Sequence, residues 1–529
     1  MKHYLIEITI GPVQEFISSA RKLRDLWCGS DLLSERSKTI ARSLHQQGAE
    51  LIFPSISDET ELSKNSPLIV ANKILVQITT PHHPDDIIKK AKAEWAAHWQ
   101  EIVEASLEKI QTIEKVAKNI KTTVYRQQLD EFGEFYAVWV ETKDANDDYD
   151  RAKQELDRLM SARKSMRLFT APTWEGEGIP KSSLDGVNEA VIGDRLDEII
   201  GLIKANERLD ALACVKRFYP LCAVMANKRH SFNDLATTAE KSHRNTAMND
   251  FGDDTEQDPN KYAAILLGDG DHMGKAIDAI KDKNGHQVFS QKLGQFAKNV
   301  KLLIEKHQGD LIYAGGDDVM AYVPLYSAIQ CADDIQKDFS ITMKDIFTEL
   351  KLPLTPPTFS IGLATVHLTE PLANVLNLAR KAEQMSKLQG GRNAFTIVQH
   401  KRAGSDLCVC GKWQQVRGQG MAERLQLMAD LHKAKILPST LGYQLRQVIS
   451  AGGDEMTFDT GAQMLTPKNA TAALVLRILQ QKTHSVELEQ KLQSILMHQK
   501  SVRQLSNEMV IAKQFADDQE RYDTSGAKA

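Results

Sequence analysis

The chain has 529 residues, 42% of them hydrophobic and 26% charged, which excludes a disordered or fibrous polymer, and it is too long for one core of ~100–200 residues, so three or four packed units are expected. With 66 Lys and Arg against 70 Asp and Glu, a net charge of −4 excludes a global basic field that would draw nucleic acid by bulk charge. Six sparse cysteines exclude a disulfide scaffold and fit a reducing compartment, and no run reaches the ~18–20 uninterrupted apolar residues of a membrane helix, so a cytoplasmic protein without membrane contact is expected.

In chain order, the opening "MKHYLIEITIGPVQEF" alternates apolar residues over 4–10 and is broken by Glu7, which predicts a strand and not the apolar core of a secretion signal. Gly11-Pro12 follows, then a helix over 13–47 and short strands at "AELIFP" and "KILVQIT", a βαββ pattern. Residues 84–164, rich in Lys, Glu and Ala, read as helical. They make a first unit of 1–85 with a helical extension to 165. The stretch "LFTAPTWEGEGIPKSSLDGVNEA" (168–190) is loop-like by its Gly, Pro and Ser. It opens a mainly helical unit over 166–255 that ends in the acidic linker "NDFGDDTEQDPN" (249–260), read as a solvated surface loop.

A third unit, 256–403, begins with "YAAILLGDGD" (262–271), a short apolar run ending in acids, as expected of a buried strand. A helix over 286–308 and the hairpin "GDLIYAGGDDVMAYVP" come next. A helix over 326–347, a strand over 358–366, a helix over 373–389 and a strand over 393–400 complete a split βαβ, ferredoxin-like order with an appended strand. Residues 404–529 read as a helical unit whose last dozen residues are frayed.

The ferredoxin-like order makes the strand ending in Asp269 a neighbour of the hairpin carrying Asp317 and Asp318. Strand-end carboxylates suit Mg²⁺ or Mn²⁺, hard cations that bind phosphates jointly with the protein. Two such ions activate an attacking hydroxyl and neutralise a leaving pyrophosphate. Gly315 and Gly316 allow a tight turn and close backbone approach by a triphosphate. Asp271 shares the strand face of Asp269 and is a further candidate ligand. A near-copy, "AGGDEM" (451–456), follows a helical segment without flanking strands; its glycines read as a helix stop and Asp454 and Glu455 as solvated charges.

"LLGDGDHMGK", "YAGGDDV" and "KLQGGRNAF", in that order, resemble the palm-domain nucleotidyl cyclases, in particular the large subunits of type III-B (Cmr-branch) CRISPR effector complexes. "IGPVQEFISSARKLRDLWCGSDLLS" resembles that family's opening palm, "PKSSLDGVNEAV" its inter-domain loop, "ALACVKRFYP" the helix before the second palm and "GRNAFTIVQHKRAG" the closing edge strand. The resemblance implies an α+β fold of two ferredoxin-like palms with helical inter-palm and C-terminal domains. It also implies a nucleotidyltransferase that, within a complex of Cmr-type subunits, crRNA and target RNA, converts ATP into cyclic oligoadenylates.

Carried over by position, Asp269, Asp317 and Asp318 are metal ligands and Gly270 offers its carbonyl, while Gly315 and Gly316 line the phosphates. Lys387 resembles the phosphate-binding lysine of diguanylate cyclases, with one more residue before the arginine; Lys275 is a second such candidate. Ser182, Ser183 and Asp185 are polar loop residues for ATP or a neighbouring subunit. In the first palm, which has no GGDD equivalent, "GPVQEF" starts a helix that faces phosphate or merely caps itself. With the strand reading beginning at residue 4 and "PHHPDD" lacking a helical frame, no HD-type DNase activity is expected. Cys214 and Cys222 form no CxxC pair and Cys408 and Cys410 form CxC, so no zinc site is expected. The alternatives are a catalytically silent subunit of the ribonucleoprotein and synthesis of a different adenylate conjugate. A template-directed polymerase is disfavoured by the lack of a basic channel, and a stand-alone diguanylate cyclase by residues 1–220.

Overall fold

The computed structural model describes residues 1–166, 180–225 and 262–526, apart from short interruptions at 65, 131, 144–147, 185, 194–198, 200–201, 223–224, 369, 402–403, 415–418, 460–464, 482–485 and 498. The acidic linker 249–260, most of the loop 168–190 and Asp185 lie outside the described residues.

The first unit runs β1 (Lys2–Gly11), α1 (Gln14–Ser18), α2 (Leu23–Gln46), β2 (Glu50–Phe53), β3 (Lys73–Thr80), α3 (Pro84–Gln111), α4 (Glu114–Ala117), α5 (Thr122–Asp130), β4 (Glu134–Thr142) and α6 (Tyr149–Ser165). Its sheet has the order β2-β3-β1-β4, antiparallel throughout, which is the ferredoxin-like arrangement. Successive β1 side chains point to opposite faces. Tyr4, Ile6, Ile8 and Ile10 enter the main core with α2 and α3, while Leu5 packs with Leu75, Tyr149 and Leu156 beneath α6. Strand β4 corrects the expectation of an unbroken helical stretch over 84–164. "EFYAVWVET" is aromatic and β-branched, it follows Gly133 at φ +114°, and it closes the sheet beside β1.

Between the palms, the described residues form irregular chain tied by isolated bridges at Lys181–Glu189 and Ile192–Leu209, and one α-helix, α7 (Ala211–Phe218).

The second palm runs β5 (Tyr262–Asp271), α8 (Met273–Ala279), α9 (Lys283–Lys306), β6 (Asp310–Gly315), β7 (Asp318–Pro324), α10 (Leu325–Glu349), β8 (Thr358–His367), α11 (Leu372–Leu388), β9 (Ala394–Gln399) and β10 (Leu407–Lys412). Its order, β10-β9-β8-β5-β7-β6, repeats the ferredoxin-like core as β8-β5-β7-β6 and extends it by a parallel β9 and an antiparallel β10. Strand β10 stands where helix was expected. The alternation of "LCVCGK" buries Leu407 and Val409 on one face and leaves Cys408 and Cys410 half-buried on the other.

Helices α12 (Met421–Lys433), α13 (Leu441–Gly452), α14 (Ala470–Gln480), α15 (Val486–Leu496) and α16 (Val502–Gly526) cover the second palm. Their Leu425, Leu445, Met509 and Phe515 join its core. Helix α16 runs to Gly526, into the stretch expected to fray, and Tyr522 there stacks on Tyr326 at 4.0 Å and 18°. The two palms share one apolar core, in which Ile6 and Ile8 pack in the same cluster as Ile312, Tyr322 and Leu376. Polar ties reinforce it: Lys283 pairs with Glu50 at 2.7 Å and the Tyr149 hydroxyl meets His286 Nδ1 at 2.7 Å. Among the described residues no helix is long and apolar enough to cross a membrane.

Candidate active site

The site forms where β5 ends beside the β6–β7 hairpin. Gly315 pairs with Asp318, leaving Gly316 and Asp317 as a two-residue turn. Gly316 has φ +77°, the conformation that a hairpin's first turn residue adopts cheaply only as glycine. A Cβ on Gly315 would overlap the Tyr313 ring, so that ring lies against the turn. Across the ladder Asp269 stands in register with Asp318, and the Gly270 amide donates to the Asp317 carbonyl at 3.2 Å. A Cβ on Gly270 would lie 2.9 Å from Asp317 Cβ and 2.7 Å from Met273 Cγ, so only glycine lets the two acidic strand ends close.

Three carboxylates are thus gathered at one sheet end. Burial, reinforced by the charge of Asp269, pushes the Asp317 carboxyl up to about 6. Burial, Asp269 and Asp317 together push Asp318 up to about 7. Lys387, on the last turn of α11, answers this charge. Its ammonium donates to Asp269 and lies 2.6 Å from Glu383 Oε1, one helical turn earlier. Burial opposes the charged lysine, but the two carboxylates outweigh it and its pKa is raised.

Above these groups is a cleft of about 440 Å³ whose walls come from both palms. Gln14, Ile17, Ser18 and Asn72 face it from the first palm; Asp269, Tyr313, Asp318, Arg380, Glu383 and Lys387 face it from the second. Its size lies within the ~300–1,000 Å³ of ligand pockets.

The other sequence candidates fall elsewhere. Asp271 is buried and faces β8, accepting from Thr358 Oγ1 at 2.8 Å, Ser360 Oγ at 2.9 Å and the Asn393 amide at 2.9 Å. Its oxygens hold the sheet and the α11–β9 turn, so it does not join the carboxylate group. Lys275 is exposed on α8. Ser182 is buried and donates to Asp210 at 2.6 Å, and the Ser183 hydroxyl accepts from the Arg208 amide at 3.0 Å. Both fasten the inter-palm loop to the start of α7. The near-copy "AGGDEM" does end a helix, with Gly453 at φ +88° after α13. Asp454, however, is not a solvated charge. It accepts from Ser501 Oγ at 2.9 Å and from the Arg503 amide at 2.7 Å at the start of α16.

Sequence reasoning missed Tyr313, Arg380 and Glu383. Glu383 had a signal, its i,i+4 spacing from Lys387 on one helix face; Tyr313 had the two-residue spacing to Gly315. Among the described residues no three His, Cys, Asp or Glu side chains already converge as a metal cluster. The donor chemistry still fits a hard divalent cation. Asp269 and Asp318 are cross-strand neighbours, Asp317 adds to their repulsion, and an ammonium already serves as counter-ion on Asp269.

Residues 262–396 match the family described as Cas10/Cmr2, second palm domain, and residues 5–130 match CRISPR-associated protein Cmr2, N-terminal. The CRISPR system Cmr subunit Cmr2 of Pyrococcus furiosus is 24% identical over 78% of this chain, which spans 63% of that relative's length. Two solved chains share the fold at 12% identity: one from a Type III-B Cmr-beta complex in the apo state (TM-score 0.65) and one from Cmr-beta bound to cognate target RNA (TM-score 0.62). Each match covers 98% of this chain, and 82% and 83% of theirs respectively.

Proposed function

We propose that this chain, which belongs to the Cas10/Cmr2 family, is the large subunit of a type III-B CRISPR ribonucleoprotein and joins ATP into cyclic oligoadenylates between its two palms. The observation that carries this reading is the facing of Asp269 and Asp318, with Asp317 beside them, at the floor of a cleft walled by both palms. In each transfer a ribose hydroxyl of one ATP attacks the α-phosphorus of another; a new P–O bond forms, the bond to pyrophosphate breaks, pyrophosphate leaves, and the hydroxyl proton passes to solvent water. Asp269, Asp317 and Asp318 would hold Mg²⁺ or Mn²⁺, which would supply hydroxyl activation and charge neutralisation. Lys387 releases Asp269 and takes the phosphates instead. The side-chain-free Gly315–Gly316 turn lets the triphosphate approach the backbone. Asp271 keeps β5 against β8 and holds no metal.

The partners in this reading are crRNA, target RNA and the other Cmr-type subunits, with the C-terminal helical domain packing against small helical subunits. The test is the reconstituted complex given labelled ATP, Mg²⁺ or Mn²⁺ and target RNA. Cyclic oligoadenylates are expected, and incorporation of all four nucleotides along a template would sink the reading. Asp317→Ala/Asp318→Ala is expected to abolish product while RNA binding is retained. One observation favours a second reading, a catalytically silent subunit: Lys387 already occupies Asp269. That reading predicts no product with either metal.

A further inference from the structure

The cleft has two walls, and the first-palm wall is a weak element by itself. Helix α1 is five residues long and lacks a side-chain N-cap. The last carbonyls of so short a helix have no intrahelical partners. Two of them have a partner from a distant part of the chain. Lys216 on α7 is fully buried, and its ammonium donates to the Phe16 carbonyl at 2.7 Å and also to the Ser19 carbonyl. The Phe16 ring lies 5.1 Å from the same ammonium. Ile17 and Ser18, which face the cleft, lie between those two carbonyls.

The lysine is itself held. Its neighbour Arg217 grips Asp25 of α2 through bonds of 2.6–2.9 Å and lies 3.5 Å from Glu207, all three groups being buried. Helix α7 is thereby pinned to α2, and Lys216 reaches the end of α1 from a fixed base. The fit along its stem is close, since a Cβ on Gly29 of α2 would lie 3.3 Å from Lys216 Cδ and 3.4 Å from Ile17 Cα.

We infer that Lys216 is a positioning residue, which from the inter-palm helix holds the α1 turn that walls the nucleotide cleft on its first-palm side. The inference rests on the nucleotide reading of that cleft. It makes the inter-palm segment a determinant of nucleotide affinity although none of its described residues faces the cleft.

The experiment uses the full chain with a fluorescent, non-hydrolysable ATP analogue and Mg²⁺, together with hydrogen–deuterium exchange. Lys216→Met keeps the apolar stem and removes the donor. It is expected to weaken analogue binding about tenfold and to speed exchange over residues 12–20, while exchange over 311–324 stays as in the wild type. A merely structural role would speed exchange in both segments. Gly29→Ala is helix-compatible and presses on both the Lys216 stem and α1, so it serves even if Lys216→Met does not fold. A two- to threefold weakening is expected from it. Unchanged affinity in Gly29→Ala and in any folded Lys216→Met, or unchanged exchange over 12–20, overturns the inference. Failure of the wild type to bind the analogue, or binding indifferent to Asp318→Ala, instead removes the nucleotide reading of the cleft, and the exchange data alone then decide whether Lys216 holds α1.

Discussion

The two palms have one topology and opposite chemistry, and the register of their central strands shows where they part. In the second palm Asp269 pairs with Asp318, and the next amide, Gly270, donates to the Asp317 carbonyl. In the first palm Thr9 pairs with Lys73, and the next amide, Ile10, donates to the Asn72 carbonyl at 3.0 Å. Thr9, Asn72 and Lys73 therefore stand where Asp269, Asp317 and Asp318 stand. An acidic site has become a hydroxyl, an amide and an ammonium, and Lys73 is neutralised within its own unit by Glu7 at 3.0 Å and Asp157 at 3.4 Å. The connection differs too: residues 54–72 join β2 to β3, whereas two residues join β6 to β7. The two palms share a fold and differ in the three strand-end side chains and in one turn, the level at which function is decided. Asn72 still faces the cleft, so the first palm contributes a wall without contributing acids.

The largest effect is expected from making the second palm resemble the first. Asp317→Asn/Asp318→Lys, which installs the first-palm residues, is expected to lower cyclic oligoadenylate formation by at least ~10²–10³-fold, the loss typical of removing preorganised transition-state stabilisation. Chromatography of products from the reconstituted complex checks it, and retained synthesis would break the assignment of roles to the two palms. A somewhat smaller loss, roughly 10²-fold, is expected for Lys387→Met, which removes the ammonium that donates to Asp269. Without metal, Lys387→Met also leaves Asp269 unneutralised. Its melting temperature in chelator is therefore expected to fall below wild type, and Mg²⁺ to restore more stability to it than to wild type.

The same acids predict a pH dependence. Asp317 and Asp318 have pKa values raised to about 6 and about 7, above the ~3.9 of a free aspartate. The native state thus binds protons more tightly than the unfolded state. The resulting stability is full below about pH 4 and is lost as pH rises through 6 to 7. In chelator, Asp317→Asn/Asp318→Asn is expected to melt higher than wild type at pH 8, by roughly 2–4 °C per kcal/mol relieved, and the gap is expected to close at pH 4. Scanning calorimetry at the two pH values reads it, and an equal gap at both would show that the carboxylates do not repel. Uptake of Mg²⁺ by the metal-free protein should weaken in the opposite sense, as pH drops through 7 to 6 and protons compete for the acids.

Most of the second palm was legible because its strands are short apolar runs and its helices keep a 3.6-residue period. The meeting of Asp269 with Asp317 and Asp318 was legible because the ferredoxin-like order makes their strands neighbours. Strand β4 was not, since it is embedded in Lys- and Glu-rich helical sequence and only its aromatic alternation marks it. Asp271 misled because strand periodicity speaks for the face of a residue and not for its partners, and Ser360 and Thr358 come from a strand some ninety residues away. Lys216 carried no local signal at all. A buried ammonium bound to carbonyls is visible only once α7 has been placed against α1.

The near-copy of the turn gives the smallest and cleanest contrast. "AGGDDV" and "AGGDEM" share Ala-Gly-Gly-Asp, yet the first lies between two strands and the second after a helix. In the first, the glycine with positive φ precedes the acids in a hairpin. In the second, Gly453 ends α13, and Asp454 crosses to the start of α16, where its carboxylate accepts the Arg503 amide and its carbonyl accepts the Val502 amide at 2.9 Å. An acid there meets unpaired helix N–H groups and a favourable dipole. Asp454→Ala is therefore expected to cost about 0.5–2 kcal/mol, the usual worth of a lost N-cap, and to leave oligoadenylate synthesis at the wild-type rate under conditions where the protein stays folded. Urea unfolding together with the ATP assay checks both halves. A catalytic defect without a stability loss would mean that the two copies of the tetrapeptide serve one site after all.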